Sequence, residues 1–189
     1  ASKKMIAENL QALLELQQQT GKSFLYESAA CASIPVIRNL EEYYDNDLLH
    51  SIKAIVNGST NFILTKIIDE GLDFKQALLL AQQLGFAESN PVLDVEGFDA
   101  VNKWTFLLTH AFGIVPNPNS ILFNGIQNIH SSDATVAKEK KQGIKLVAQA
   151  KKLNNGKVAA FVLPQFVNQD DHLAFVKNEY NGVVIESGF

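Results

Sequence analysis

Asn154-Asn155-Gly156 stands between two apolar-rich runs, Ile144 to Ala150 and Val158 to Leu163. An Asn-Gly step supports the positive φ angles of a tight connection, so the two runs are expected to pair as an antiparallel hairpin. That requirement rules out an all-helical chain. Other segments carry helical spacing. Ala100, Val101, Trp104, Leu107, Leu108 and Ala111 fall on one face of a long helix closed by Gly113. Hairpin and helix together give mixed α and β structure with a partly antiparallel sheet.

The remaining elements follow by the same reading. Ile6, Leu10, Leu13 and Leu14 recur at helical spacing before Gly21, which suits a C-terminal cap. Phe24-Leu25-Tyr26 predicts a short strand, Glu27 to Ser33 a small-residue stretch of backbone, and Pro35 the first turn of a helix running to about Tyr44. His50 to Val56 predicts a strand. Asn57-Gly58-Ser59-Thr60 predicts a turn into a helix, with Ser59 as N-cap and Gly71 at the end. Asp73 and Gln76 have capping-box spacing, and the next helix is expected to bury Ala77, Leu80, Ala81 and Leu84. A polar loop from Phe86 to Gly97 leads into the long helix. A further helix is expected from about Ser132 to Gln142, and a last strand at Val183 to Ile185. No repeat, low-complexity segment or internal linker interrupts the chain.

Composition narrows the function classes. The chain has 189 residues, 47 % hydrophobic and 19 % charged, with a net charge of −4. That is ordinary globular composition for one domain. The lysines between 138 and 152 alternate with apolar residues, which predicts a solvated face and no nucleic-acid footprint. Cys31 is the one cysteine, so no internal disulfide can form, and a reducing, cytoplasmic setting is expected. No apolar run of about 20 residues predicts a membrane helix.

The chemistry concentrates in one stretch. Glu88, Asp94, Glu96, Asp99 and Lys103 place four carboxylates and a lysine within 16 residues. Asp99 and Lys103 are four apart, so a helix puts them on one face. Carboxylates hold an ammonium group, and a lysine holds a carboxylate or hydroxyl, so the set suits a small zwitterion. Spacing alone is better served by an exposed ion pair beside an acidic loop. Asn57 to Asn61 is a second candidate, because N–H groups at a helix start can bind an anion, although a plain capping turn meets the same pattern. Glu27 to Ser33 is a third, where small residues allow close backbone approach. Cys31 there would need an activating base to act as a nucleophile. The four histidines lack metal-ligand spacing.

Taken in order, these segments resemble the homoserine dehydrogenase family. The carriers are Leu25-Tyr26-Glu27 with its small residues, Ile34-Pro35-Val36-Ile37, Asn57 to Leu64, Gly85 to Pro91, and Asp94 to Lys103. The resemblance covers nearly the whole chain. It implies an α+β fold, a mixed sheet with helices packed on one face, like the C-terminal domain of glyceraldehyde-3-phosphate dehydrogenase-like proteins. It implies interconversion of L-homoserine and L-aspartate semialdehyde with NAD or NADP, a homodimer paired through the sheet, and no nucleic-acid or membrane partner. Lys103 matches the lysine that moves a proton at the substrate hydroxyl. Lys3 matches a second active-site lysine beside the cofactor. Glu88, Asp94 and Asp99 match substrate-binding or lysine-positioning acids, and Gly58, Ser59 and Phe86 match residues beside the substrate. Glu27, Ala30, Ala32 and Ile34 match positions that hold a monovalent cation such as Na⁺ or K⁺.

Three positions depart from the family pattern. Asn90 replaces a more usual aspartate, Phe86 a common tyrosine, and Cys31 and Ser33 stand in a glycine-rich stretch. No Gly-x-Gly-x-x-Gly follows a strand, so a dinucleotide-binding domain is expected in a longer polypeptide, upstream of Ala1. The isolated chain is then expected to lack useful turnover. A thiol-dependent semialdehyde dehydrogenase using Cys31, and a non-catalytic dimerisation module, are the competing readings.

Overall fold

The computed structural model describes residues 2–45 and 48–188. Eight α-helices and five strands are found among the described residues. The strands are β1 (Leu49–Ile55), β2 (Leu122–Phe123), β3 (Gln142–Lys152), β4 (Val158–Asn168) and β5 (Gly182–Ser187). They form one sheet in the order β2-β4-β3-β1-β5, antiparallel except for the short β2–β4 pair. The expected hairpin is β3–β4, with Lys152 opposite Val158 and Gly156 at φ 78°.

Helices α1 (Lys3–Thr20), α2 (Glu27–Cys31), α3 (Val36–Asp45), α4 (Gly58–Thr65), α5 (Phe74–Gln83), α6 (Val92–Val95), α7 (Phe98–Phe112) and α8 (Ser131–Glu139) complete the fold. Period-2 alternation assigns the two faces of β3. Ile144, Leu146, Ala148 and Ala150 point into the main core with Ile52, Ala54 and Val162. Helix α7 fills that core with Trp104, Phe106 and Leu107, all fully buried. Each such side chain contributes roughly 1.5–3 kcal/mol of transfer free energy. On the opposite face, Ile55, Val147 and Val167 form a smaller cluster under Leu173.

Several expectations shift in detail. Phe24-Leu25-Tyr26 is not a strand: Leu25 is 89 % exposed and the segment has no ladder partner, so residue type alone could not secure it. The stretch after it coils into the short helix α2. Leu84 is exposed rather than buried and Leu80 is half-buried, because α5 rests on the core through the face that carries Ala77 and Ala81, with Phe74, Leu78 and Leu80 packed at its margin. Helix α8 stops at Glu139, and Gln142 already begins β3. The lysine-rich stretch is not uniformly solvated. Lys145 is 5 % exposed, because it lies on the β3 face that the segment after β4 covers.

Candidate active site

Strand β1 runs into α4 through Asn57, and this turn organises the site. The N-cap is Asn57, not Ser59: Asn57 Oδ1 accepts from the Thr60 N–H at 2.8 Å. Asparagine was needed because the other end of its amide is also used. Its Nδ2 donates to Asp94 Oδ1 at 2.6 Å and to Asp99 Oδ2 at 2.9 Å. An aspartate there would set a third carboxylate against two others. Ser59 has a different task, donating from Oγ to the Phe86 carbonyl at 2.5 Å. That bond joins the α4 turn to the Gly85-Phe86-Ala87 loop. Gly58 is required by space. A Cβ there would lie 2.4 Å from the Glu179 carbonyl oxygen, a backbone atom that cannot swing away.

Helix α7 supplies the charged centre. Asp99 stands in its first turn, after Gly97 at φ 92°, and Lys103 one turn later. Lys103 Nζ is 2.7 Å from Asp99 Oδ2 and donates to the Val56 carbonyl at 2.7 Å. An ammonium has three donors, and among the described residues these are its two hydrogen-bond partners. Lys3, at the start of α1, reaches the other oxygen of Asp99 at 3.2 Å. Asp99 therefore bridges two lysines while only 9 % exposed, which is not a solvated surface pair. Burial opposes its charge, but Lys103, Asn57 and Lys3 together hold its pKa below the usual carboxylate range. Asp94 moves the opposite way: burial raises its pKa, with Asp99 adding to the rise and Asn57 and the lysines opposing it.

These groups line one open cavity of about 440 Å³. Lys3, Gly58, Ser59, Phe86, Glu88, Asp94, Asp99 and Lys103, all expected from sequence, meet there. The Phe86 ring packs on Phe62 at 4.9 Å, so its contribution to the wall includes the carbonyl held by Ser59. Glu88 is exposed, its backbone carbonyl accepting from Gln82 Nε2 at 3.0 Å. From sequence, Asn57 reads as the start of a candidate anion-binding turn and not as the side chain that joins Asp94 and Asp99, although its place before α4 is a capping signal. Glu179 also lines the cavity, and nothing in its local sequence pointed there. Asn90 hangs on the exposed loop, where its side chain accepts from the Val92 N–H at 3.5 Å.

The positions expected to hold a cation gather elsewhere, around α2. The Glu27 carboxylate accepts from the Ile37 and Arg38 N–H groups at 2.9 and 3.2 Å, tying α2 to the start of α3. Ala30 is buried, and Ala32 turns the chain at φ 53°, a costly conformation for alanine. The Ile34 carbonyl accepts from the Val36 N–H at 2.8 Å. Carbonyl and carboxylate oxygens are the right donors for a hard cation, so the chemistry fits. Cys31 is fully buried within this segment. Burial pushes its thiol up to about 11, with Lys103 opposing and Glu27 adding. An activated nucleophile needs the reverse.

Residues 35–189 match the family model described as homoserine dehydrogenase. The chain belongs to the homoserine dehydrogenase family. It is 33 % identical to the homoserine dehydrogenase of Lactococcus lactis subsp. lactis over 187 residues, 99 % of this chain and 44 % of that protein. The crystal structure of a homoserine dehydrogenase from Thiobacillus denitrificans superposes with a TM-score of 0.93 at 31 % identity, covering 98 % of this chain and 43 % of that one. A hyperthermophilic archaeal homoserine dehydrogenase mutant in complex with NADPH gives 0.78 at 30 % identity, over 98 % of this chain and 53 % of that one. The chain thus spans less than half the length of the curated relatives it matches. The expected α+β architecture is that of these homoserine dehydrogenases.

Proposed function

We propose that this chain is the substrate-binding and catalytic part of an NAD(P)-dependent homoserine dehydrogenase. The reaction interconverts L-homoserine and L-aspartate 4-semialdehyde, a step toward threonine, methionine and isoleucine. The observation that carries the reading is Asp99 bridging Lys103 and Lys3 at the wall of a cavity that also holds Asp94 and Glu88. Lys103 moves the proton at the substrate hydroxyl oxygen, taking it in oxidation and returning it in reduction. Its ammonium form also stabilises charge developing on that oxygen. Asp99 positions Lys103. Glu88 and Asp94 attract the substrate ammonium group, and Gly58 and Ser59 shape the turn beside it.

A bound nicotinamide coenzyme accepts or supplies the hydride. Lys3, 44 % exposed in its side chain, is the chain's candidate contact to it. An exposed ammonium on the cavity wall suits that task. The NADPH complex of the archaeal relative supports this class of cofactor. The dinucleotide-binding domain belongs, in this reading, to the longer polypeptide. Glu27 and the carbonyls of Ala30, Ala32 and Ile34 hold a monovalent cation that braces the α2–α3 corner. The sheet face opposite the main core presents half-buried Phe161 and Leu163 beside Leu122, which is 65 % exposed. That face suits a homodimer contact. The protein is assigned to the cytoplasm, in keeping with a single cysteine and a biosynthetic role.

The deciding test is homoserine oxidation by the full-length enzyme, wild type against Lys103→Ala, with the fold checked by circular dichroism. A loss of about 10² or more in turnover, with the fold intact, is expected for a proton-transfer group. Near-normal turnover would remove Lys103 from the chemistry.

A further inference from the structure

A second cavity, of about 460 Å³, opens between the end of α4, the end of α8, the start of β3 and the segment that follows β4. Its charge is one-sided. Lys138, Lys141, Lys145 and Lys177 line it against a single carboxylate, Asp69, and Asp69 is already paired with Lys177 at 2.7 Å. Lys138 and Lys141 stand exposed at the mouth. Leu64, Ile68 and Ala174 give the cavity an apolar side.

Lys145 is the unusual member. It is 5 % exposed, yet its Nζ meets only neutral acceptors, Asn61 Oδ1 at 2.9 Å and the Val176 carbonyl at 2.6 Å. A buried ammonium normally requires a carboxylate partner, because neutral dipoles replace only part of its lost hydration. Two of its three donors are accounted for among the described residues. The volume lies within the usual range of small-molecule sites.

We propose that this cavity binds a small organic anion, a carboxylate or phosphate monoester carrying an apolar group. The acid group faces Lys145 with Lys138 and Lys141 around it, and the apolar part rests on Leu64 and Ile68. The inference does not depend on the dehydrogenase reading. Lys145 also provides a signature of occupancy. Burial pushes its pKa down to about 8, with Asp69 opposing that shift and Lys177 adding to it. An anion beside Lys145 favours the protonated form, so binding near pH 8 takes up part of a proton.

The experiment is calorimetric titration of the full-length protein with phenyl phosphate and with benzoate, NADP being present to fill the dinucleotide phosphate sites. At pH 8 phenyl phosphate is already a dianion and benzoate is fully ionised, so proton uptake reports the protein. One saturable site is expected, with a binding heat that depends on the ionisation heat of the buffer at pH 8 for both probes and, for benzoate, not at pH 6.5. Lys138→Gln combined with Lys141→Gln, both at exposed positions, should weaken binding about five- to tenfold. Binding of one probe alone assigns the site to that acid group. Absence of saturable binding, affinity unmoved by the double variant, or no buffer dependence at pH 8 would each overturn the proposal.

Discussion

Asp99 Oδ2 lies 2.7 Å from Lys103 Nζ, one helical turn away on α7, with both side chains about nine-tenths buried. An exposed pair at this spacing contributes a few tenths of a kcal/mol. Here the carboxylate also accepts from Asn57 and meets Lys3 with its second oxygen. Replacing Asp99 by Asn keeps the size and removes the charge that orients both lysines. Asp99→Asn in the full-length enzyme is expected to lower kcat/KM for homoserine about 10²-fold. A change smaller than threefold would show that the lysines are oriented without it.

Gly58 and Gly143 make a matched test of close approach. Gly58→Ala forces a Cβ against the Glu179 carbonyl, while a Cβ at Gly143 meets nothing within 4 Å. Gly58→Ala should cost about 1–3 kcal/mol in urea unfolding and raise KM, since the turn borders the cavity. Gly143→Ala should stay within about 0.5 kcal/mol of wild type. Equal stability of the two variants would contradict the packing described for the α4 turn.

Cys31 should be chemically silent. With its pKa near 11, only about one thiol in 10⁴ is ionised at pH 7, and the side chain is fully buried. A thiol-specific reagent should modify it at least about 10²-fold more slowly in the folded protein than in urea. Cys31→Ala should keep homoserine turnover within a few-fold. Rapid modification that stops the enzyme would revive the thiol mechanism.

Lys145 makes stability depend on pH in a definite direction. Its folded pKa, about 8, lies below the ordinary 10.5, so the unfolded chain binds the extra proton between those values. Stability from this group therefore rises as pH goes from about 8 to 10.5. Cys31 and Tyr26, raised to about 11 and about 12, work the other way over overlapping ranges. Comparison with Lys145→Met isolates the lysine. The stability of wild type relative to that variant should grow by on the order of 2–3 kcal/mol between pH 7.5 and 10.5. A constant difference would mean that Lys145 keeps its ordinary pKa.

Local pattern made much of this fold legible. The α7 stripe from Ala100 to Ala111 is buried as its 3.6-residue period requires, and the Asn-Gly step places the β3–β4 turn. The capping box at Asp73 and Gln76 forms as spaced. Such signals lie within one or two turns of chain, where backbone geometry leaves few alternatives. Phe24 to Tyr26 failed because a strand depends on a partner, and none arrives. The site residues Glu88, Asp94, Asp99 and Lys103 were visible as a cluster because they are close in sequence.

By itself the sequence determined the long helices, the β3–β4 hairpin, and that acids and lysines gather before and within α7, since each follows from the pattern of neighbouring side chains. It could not decide which charges are buried together. Lys3 reaches Asp99 across 96 positions, Glu179 closes over Gly58, and Lys145 is buried while Lys141 stays in solvent. Those outcomes depend on the packing of α1, α4, α7 and the sheet edge, and the electrostatics of a charge depend on its distance to partners and to water. Only the tertiary structure supplies those distances, and with them the difference between a surface ion pair and a buried charge cluster on a cavity wall.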